Sequence, residues 1–504
     1  MAAIITNKFR IHNAEQFTES FSEAVPSVYY MGIGRPQAFG TLTRGDSRTT
    51  NEGTDASPLT PVDSVQDEFY YFDDLLAAKR VTSSDVSYVV PRRNWTAGVV
   101  YDYYRHDYGN RITGTTTTQT SDSGASTLWD STFYVLTSTY QVFKCLDNNG
   151  GAVTVSGNEP SVAEGTTTIL TTGDGYKWKY MYTLSAAQQT NFLSTDFMPV
   201  ATNSTISNAA VDGGIDIVKI KTAGSGYTTS SGATISAIPI RGDGSGGVVS
   251  VTISGGAISA VTVTSVGSGY TFGYIRNADI ITGTNAGGAG SGAELDVIIP
   301  PRNITAAGSA FGGHGANAIK ELGAYYVMLN TNFEADETSN TGDFTTSNDF
   351  RRVMLIRDPK SGGSAASATT LRGTKAILLS SASGTFTVDE EINQATTGAV
   401  GKVVEHDTTN NILYYIQTRF NDHGVDSNGN LTAFSGTNTI TGQSSSITAT
   451  PSTSSSTVDN IAFTSGYAGA EIDQNTGDVI YVENRSPITR ASDQTENVKL
   501  IIEF

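Results

Sequence analysis

Residues 218 to 228 read "VKIKTAGSGYT", and residues 261 to 271 read "VTVTSVGSGYT". Each copy is a run of alternating apolar residues that enters Gly-Ser-Gly and ends on a tyrosine. Each is followed by a second glycine-rich turn, "GDGSGG" or "GGAGSGA", and then by another strand pattern, "VVSVTIS" or "ELDVIIP". Alternation with a period of two belongs to strands, and the glycines supply the positive φ of tight turns. The tyrosine is expected to lie as a flat lid over a small sheet. Two copies are too few for a solenoid, so residues 213–300 are predicted to be a compact inserted β domain.

The rest of the chain carries the same signature. Charged residues make up 16% of the 504, against about 25% in an average globular chain. Their place is taken by Ser and Thr, 53 Gly, 23 Tyr and 20 Phe, a mixture that suits short strands joined by turns. Strands are predicted at "VSYVVP" ending on Pro91, over 132–146 in "TFYVLTSTYQVFKCL", and over 176–184 in "YKWKYMYTL". In the last, Tyr176, Trp178, Tyr180 and Tyr182 would form an aromatic face, and Lys177, Lys179 and Met181 a largely polar one. Residues 372–458 show further short strands and hairpins and close in the linker-like "TATPSTSSSTVDN", as a second β insert would.

Two helices are predicted near the start. Asn13 would cap the first, with Gln16 at its third position and Phe17 and Phe21 on one face. Asp63 would cap the second, with Gln66 in the matching place, Val65, Phe69, Phe72 and Leu76 along one side, and Lys79 and Arg80 at its end.

A net charge of −18 and no basic run longer than Arg92-Arg93 or Arg351-Arg352 argue against nucleic acid. The single cysteine, Cys145, rules out an internal disulfide. The first residues lack a signal-peptide core, and no apolar run approaches the ~20 residues of a membrane span. The expectation is a chain made in a cytoplasm.

No reacting constellation emerges. His12, His106, His314, His406 and His423 are scattered without metal-ligand spacing; His314 in "FGGHGAN" looks the most site-like. Gly242, Gly244 and Gly247 satisfy G-x-G-x-x-G, but a strand follows where a pyrophosphate site needs a helix. Asp426, Asn428 and Asn430 open like a calcium loop, yet Leu431 stands where the loop glycine belongs and Thr437 where the glutamate belongs, so an Asx turn is the better reading. Asp73-Asp74 and Glu390-Glu391 are adjacent pairs whose side chains diverge. No catalytic residue, metal site or cofactor is expected.

Four stretches carry a resemblance. They are "PVDSV" with Pro61 and Asp63, followed by "VVPRRNW" with Pro91, Arg92, Arg93 and Trp95; "VFKCLD", 142–147; "GDGYKWKY" with Gly173, Asp174, Gly175, Tyr176 and Trp178; and the ending "GDVIYVENRSPITRASDQTENVKLIIEF", with Glu483, Asn484, Arg485, Pro487, Ile488, Asp493, Gln494 and Glu496. In order and content they resemble the dimeric baseplate wedge subunit of T4-like contractile-tailed bacteriophages. The resemblance implies a mainly β fold, a layered β-sandwich main body with a few peripheral helices, and no enzymatic activity. It also implies a homodimer among other baseplate wedge proteins in the virion, with no small-molecule substrate. The main body would comprise 1–212, 301–371 and 459–504, with the inserts between. A carbohydrate-binding or adhesin-like tail protein is the alternative. In the ending, Arg485 and Arg490 are expected to bond with Asp493 and Glu496 across a turn, and Val498, Leu500, Ile502 and Phe504 to share one face of a closing strand. The result would be a structural clasp.

Overall fold

The structure is a computed structural model that describes residues 4–40, 53–110, 118–304, 310–336, 344–345, 349–418, 424–487 and 495–504. It is mainly β, with 41% strand and 10% helix. The chain divides into two compact units. One holds residues 1–15, 87–328 and 501–504, and the other holds 16–86 and 329–500.

The first unit is built on an antiparallel four-stranded sheet in the order Tyr134–Leu136, Gln141–Asp147, Lys177–Thr183, Leu170–Thr171. Both faces are covered. Tyr134, Leu136, Val142 and Leu146 point into one core with Met181 and Tyr182. Val135, Phe143 and Cys145 point into the other with Tyr176, Trp178 and Tyr180. The four-aromatic face expected from alternation is therefore one residue short. The pairing jumps from Val142↔Tyr182 to Phe143↔Tyr180, so Met181 is a bulge that turns Tyr182 to the opposite face. The expected polar face is not solvated either, since Lys179 is buried.

The repeat forms its own core within this unit, around Ile235, Val249, Val251, Leu295 and Val297. Ile217–Ser225 pairs with Ser291–Ile298, and Ser245–Ser254 pairs with Ala257–Ser268. The two copies thus exchange partners. Tyr227 of the first lies on Gly290, in the turn that follows the second, and Tyr270 of the second lies on Gly244, in the turn that follows the first. A β-carbon at either glycine would overlap the ring. Both tyrosines are buried, and Tyr270 donates to Ile240 O at 2.9 Å while accepting from Gly247 N at 3.2 Å. The glycine-rich turns are landing sites for the other copy's ring.

The second unit contains an antiparallel five-stranded sheet in the order Thr370–Arg372, Leu75–Val81, Tyr29–Gly34, Arg352–Arg357, Asp478–Asn484. Every residue of the central Tyr29–Gly34 strand is buried. The unit also contains a closed six-stranded barrel. Its strands are Lys375–Ala382, Glu391–Gln394, Ala399–Asp407, Ile412–Ile416, Ile440–Gly442 and Thr448–Pro451. Lys375–Ala382 pairs with Ile412–Ile416 on one side and Thr448–Pro451 on the other, which closes the ring. Ile377, Ile392, Val403, Leu413, Phe434 and Ile440 fill it.

Both helix expectations need correction. The first helix is Asn7–Glu19, so Asn13 lies inside it and caps nothing, although Phe17 and Phe21 do meet edge to face at 5.3 Å. The second is Val65–Asp73, capped by Ser64, whose side chain accepts from Asp67 N, rather than by Asp63. It stops before Leu76. The continuous apolar run Leu75–Ala78 is buried as a strand between two others, and Lys79 and Arg80 belong to that strand. Burial on both sides prevails over helical spacing there.

Candidate functional site

The strongest electrostatic feature of the first unit is one that composition hides. Lys144 and Lys179 are direct partners across the Gln141–Asp147 and Lys177–Thr183 strands, and both are buried. Like charges facing each other in a core need compensation. The Lys144 ammonium pairs with Glu321, and neither side chain has any exposed surface. Glu321 sits in the short helix Ala318–Leu322 and also accepts from Gly315 N at 2.9 Å and Asn317 N at 3.0 Å. Lys179 donates to Thr167 O at 2.6 Å. Asp216 stands near both lysines; burial raises its pKa, and the two cations work in the other direction.

His314 belongs to the same cluster. It is buried, meets Tyr104 edge to face at 4.9 Å, and its Nδ1 has no hydrogen-bond partner. Burial first, then the neighbouring Lys144 and Lys179, push its pKa well below the usual histidine value. A neutral imidazole locked between a ring and two cations is a packing element of this core. The sequence pointed at His314 for its glycine-flanked loop, but not at the lysine pair that surrounds it.

The first-unit motifs converge on one aromatic core. Tyr176 stacks on Trp178 at 5.4 Å, Tyr101 meets Trp178 at 6.1 Å, and Trp95 packs alongside. Trp95 N donates to Leu136 O, so "VVPRRNW" is stitched to the edge of the sheet. Arg93 lies over the Tyr134 ring at 4.7 Å and bonds Ser131 O, and Arg92 donates to Ser194 O at 2.8 Å. Pro91 ends its strand, paired with Phe197. Gly173, Asp174 and Gly175 form the hairpin turn before Tyr176. Gly175 has φ +84°, and the Asp174 side chain accepts from Thr172 Oγ1 at 2.6 Å.

The motifs of the second unit meet around arginine. Arg352 binds both oxygens of Asp74 at 2.6 and 2.9 Å, lies over the Tyr71 ring at 4.7 Å, and donates to Asn484 Oδ1 at 3.2 Å. Asn484 in turn donates to Leu59 O, and Tyr71 OH to Val62 O. This fixes the segment that carries Pro61, which is half-buried, and Asp63, which is exposed. Arg351, on the opposite face of its chain, takes Asp55 through two bonds of 2.9 Å, and this pairing is the main reason the Asp55 pKa is lowered. Glu483 accepts from Tyr481 OH, and Arg485 N donates to Arg351 O. Pro487 is half-buried and Glu496 is buried. Ile488, Arg490, Asp493 and Gln494 lie outside the described residues, as does His423. The expected bonds of Arg490 and Asp493 fall there too.

The remaining candidates resolve into structural parts. Gly244 and Gly247 are covered by Tyr270, and Gly247 already lies within the strand Ser245–Ser254. Asp426 accepts from Asn428 N at 2.8 Å and Asn430 N at 2.9 Å, which is an Asx turn. Glu390 is bound by the backbone and hydroxyl groups of Ser444 and Ser445. Of the Asp73-Asp74 pair, Asp74 serves Arg352. His106 accepts from Ile299 N, and His406 from Phe386 N. His12 is exposed on the first helix. Among the described residues no helix is long and apolar enough to cross a membrane.

The family model described as Bacteriophage T4, Gp8 matches residues 3–219 and 401–504, more than half of the chain. The chain belongs to the bacteriophage T4 Gp8 family. The Gp8 match takes in all four motif stretches, and with them the aromatic core and Asn484, while Arg352, the partner of Asn484, lies outside it. Membership gives the chain a structural role in the phage baseplate wedge and a place in the virion tail. Residues 220–400, which hold most of the interlocked repeat, fall outside the Gp8 match. No curated protein matches the chain.

Proposed function

We propose that this Gp8-family chain links neighbouring wedge proteins during baseplate assembly and carries those contacts through host attachment and contraction, as a homodimer and without catalysis. The family match carries the reading. The fate of the motif residues supports it, because their polar groups are spent on holding the chain's own framework, through Arg92–Ser194, Asn484–Arg352 and the Asp174 turn. Side chains committed in this way make a rigid scaffold rather than a reacting site. Synthesis in the host cytoplasm accords with the lone, buried Cys145.

In the same reading, 213–300 and 372–458 are modules added to a body formed by 1–212, 301–371 and 459–504. Each module has a core of its own. The motif residues Pro61, Asp63, Pro91, Arg92, Arg93, Trp95, Gly173, Asp174, Gly175, Tyr176, Trp178, Glu483, Asn484, Arg485, Pro487, Asp493, Gln494 and Glu496 act as framework residues. The carbohydrate-binding alternative loses the two tyrosines of the GSGY motifs themselves, since Tyr227 and Tyr270 are buried.

Controlled disassembly of virions tests the reading. The chain should be released together with other wedge proteins in fixed ratio; recovery with tail fibres alone would refute it. Sedimentation of the isolated chain tests the dimer separately, and a monomer at high concentration would exclude it.

A further inference from the structure

The two GSGY copies serve as controls for each other. Aligned on their tyrosines, the first continues Thr228, Thr229, Ser230, Ser231, and the second continues Thr271, Phe272, Gly273, Tyr274. Both tyrosines perform the same burial task, so the fold of a copy needs no aromatic beyond them. Yet the second copy adds two, and both are turned outward: Phe272 is 55% exposed and Tyr274 is 42% exposed.

Their direction follows from a short ladder. Gly273–Tyr274 pairs with Arg241–Gly242, with Arg241 opposite Tyr274 and Gly242 opposite Gly273. Alternation sends the two glycines inward, where a β-carbon at Gly273 would press on Val297 and Ile240. It sends Phe272, Tyr274 and Arg276 outward on one face, with Arg241 beside them. Arg276 lies over the Tyr274 ring at 5.5 Å and donates to its hydroxyl at 2.9 Å. Arg241 is held by Asp279 at 2.6 Å. Among the described residues no carboxylate forms an ion pair with Arg276. The backbone beneath is fixed as well, since Asp243 accepts from Thr271 N at 2.8 Å and Phe272 N at 3.3 Å.

We propose that the face made by Phe272, Tyr274, Arg241 and Arg276 is a docking surface for a different protein of the baseplate, one that presents an apolar socket for Phe272 beside a carboxylate for Arg276. The proposal rests on the wedge reading above and assigns a contact to a region the Gp8 match does not cover. Aromatic and arginine side chains dominate the energetics of protein interfaces. Here they are presented by a hairpin already ordered before binding, which lowers the entropic cost of association. Asp279 acts on Arg276 through space but is bonded to Arg241, which leaves the Arg276 guanidinium open to a direct ion pair with an acidic group of a partner.

The test is photo-cross-linking in intact virions that carry p-benzoylphenylalanine in place of Phe272, with the same probe at Thr229 as the first-copy control. The expected result is a cross-link from position 272, and none from 229, to one other virion protein at a peptide flanked by Asp or Glu. The variant Phe272→Thr/Tyr274→Ser, which installs the first copy's residues, should keep the melting temperature of the purified chain. It should lower its co-assembly with that protein about tenfold. Virions that contain the chain but give no cross-link from 272 would overturn the proposal and leave the wedge reading intact. A cross-link to a second copy of the chain, or Phe272-dependent binding of the purified chain to polygalacturonate, would overturn the assigned partner. Absence of the chain from virions would remove the wedge reading and the proposal together.

Discussion

Lys144 and Glu321, 177 residues apart in the sequence, form an ion pair with no exposed side-chain surface on either partner. Removing one member of such a pair strands the other charge in the core, whereas removing both charges does not. Lys144→Met should therefore cost about 3–5 kcal/mol. Lys144→Met combined with Glu321→Gln, which keeps an acceptor for Gly315 N and Asn317 N, should recover most of that loss. Thermal unfolding of the two single variants and the double variant measures the coupling, and simple additivity would contradict the pairing.

His314 makes the same core sensitive to acid. In the folded chain its pKa is lowered, first by burial and then by Lys144 and Lys179. Unfolded, it titrates near its ordinary value of about 6.5. Below that value the unfolded chain binds a proton that the folded chain refuses. Stability is therefore full above about pH 6.5 and falls by about 1.4 kcal/mol per pH unit as pH drops below it. His314→Phe, which keeps a ring against Tyr104, should flatten the melting temperature between about pH 7 and pH 5. An unchanged slope would place the acid sensitivity elsewhere.

The exchanged repeat predicts a matched pair of defects. Gly244→Ala and Gly290→Ala each put a methyl group into the other copy's tyrosine ring and should each cost about 1–3 kcal/mol. Gly469→Ala, where the β-carbon meets nothing within 4 Å, should be nearly silent. Tyr270→Phe removes the bonds to Ile240 O and Gly247 N at about 1 kcal/mol or more. Melting temperatures of the four variants settle the comparison.

Two arginines on one strand should behave differently. Arg352 joins Asp74, Tyr71 and Asn484 through the plane of its guanidinium. A lysine cannot satisfy all three, so Arg352→Lys should cost about 2 kcal/mol or more. Arg357 pairs with Asp478 in the open, the two side chains being 44% and 62% exposed. Arg357→Lys should change stability by less than about 0.5 kcal/mol.

The closing strand Thr495–Glu503 pairs with Tyr326–Asp336 and buries Val498 and Leu500. Deletion of residues 493–504 should abolish the folded state, read as loss of the near-ultraviolet dichroism of the buried tyrosines. A well-folded truncated chain would show that the ending is no clasp.

Local signals were reliable where one force acted. The strands at Val86–Pro91, Gln141–Asp147 and Asp478–Asn484 follow from alternation or from continuous apolar runs. Helical spacing misled at Leu76 because tertiary burial took over residues that also satisfied a helix. A single bulge at Met181 was enough to move Tyr182 across the sheet. The ion pairs were out of reach. Nothing local to Lys144 announces Glu321, and Arg351-Arg352 looked like one basic run, although its two side chains serve Asp55 and Asp74 on separate sides. Charge partners are set by topology, which a pattern with a period of two does not encode.

The barrel of residues 375–451 has a mechanical consequence. An open sheet loosens from its outermost strand, one row of hydrogen bonds at a time. A ring closed by Lys375–Ala382 offers no outermost strand, so it resists unzipping and yields only when two seams part together. Tension that reaches the barrel is met by an all-or-none element. Amide exchange across its six strands should accordingly proceed as one event, without fraying from either end.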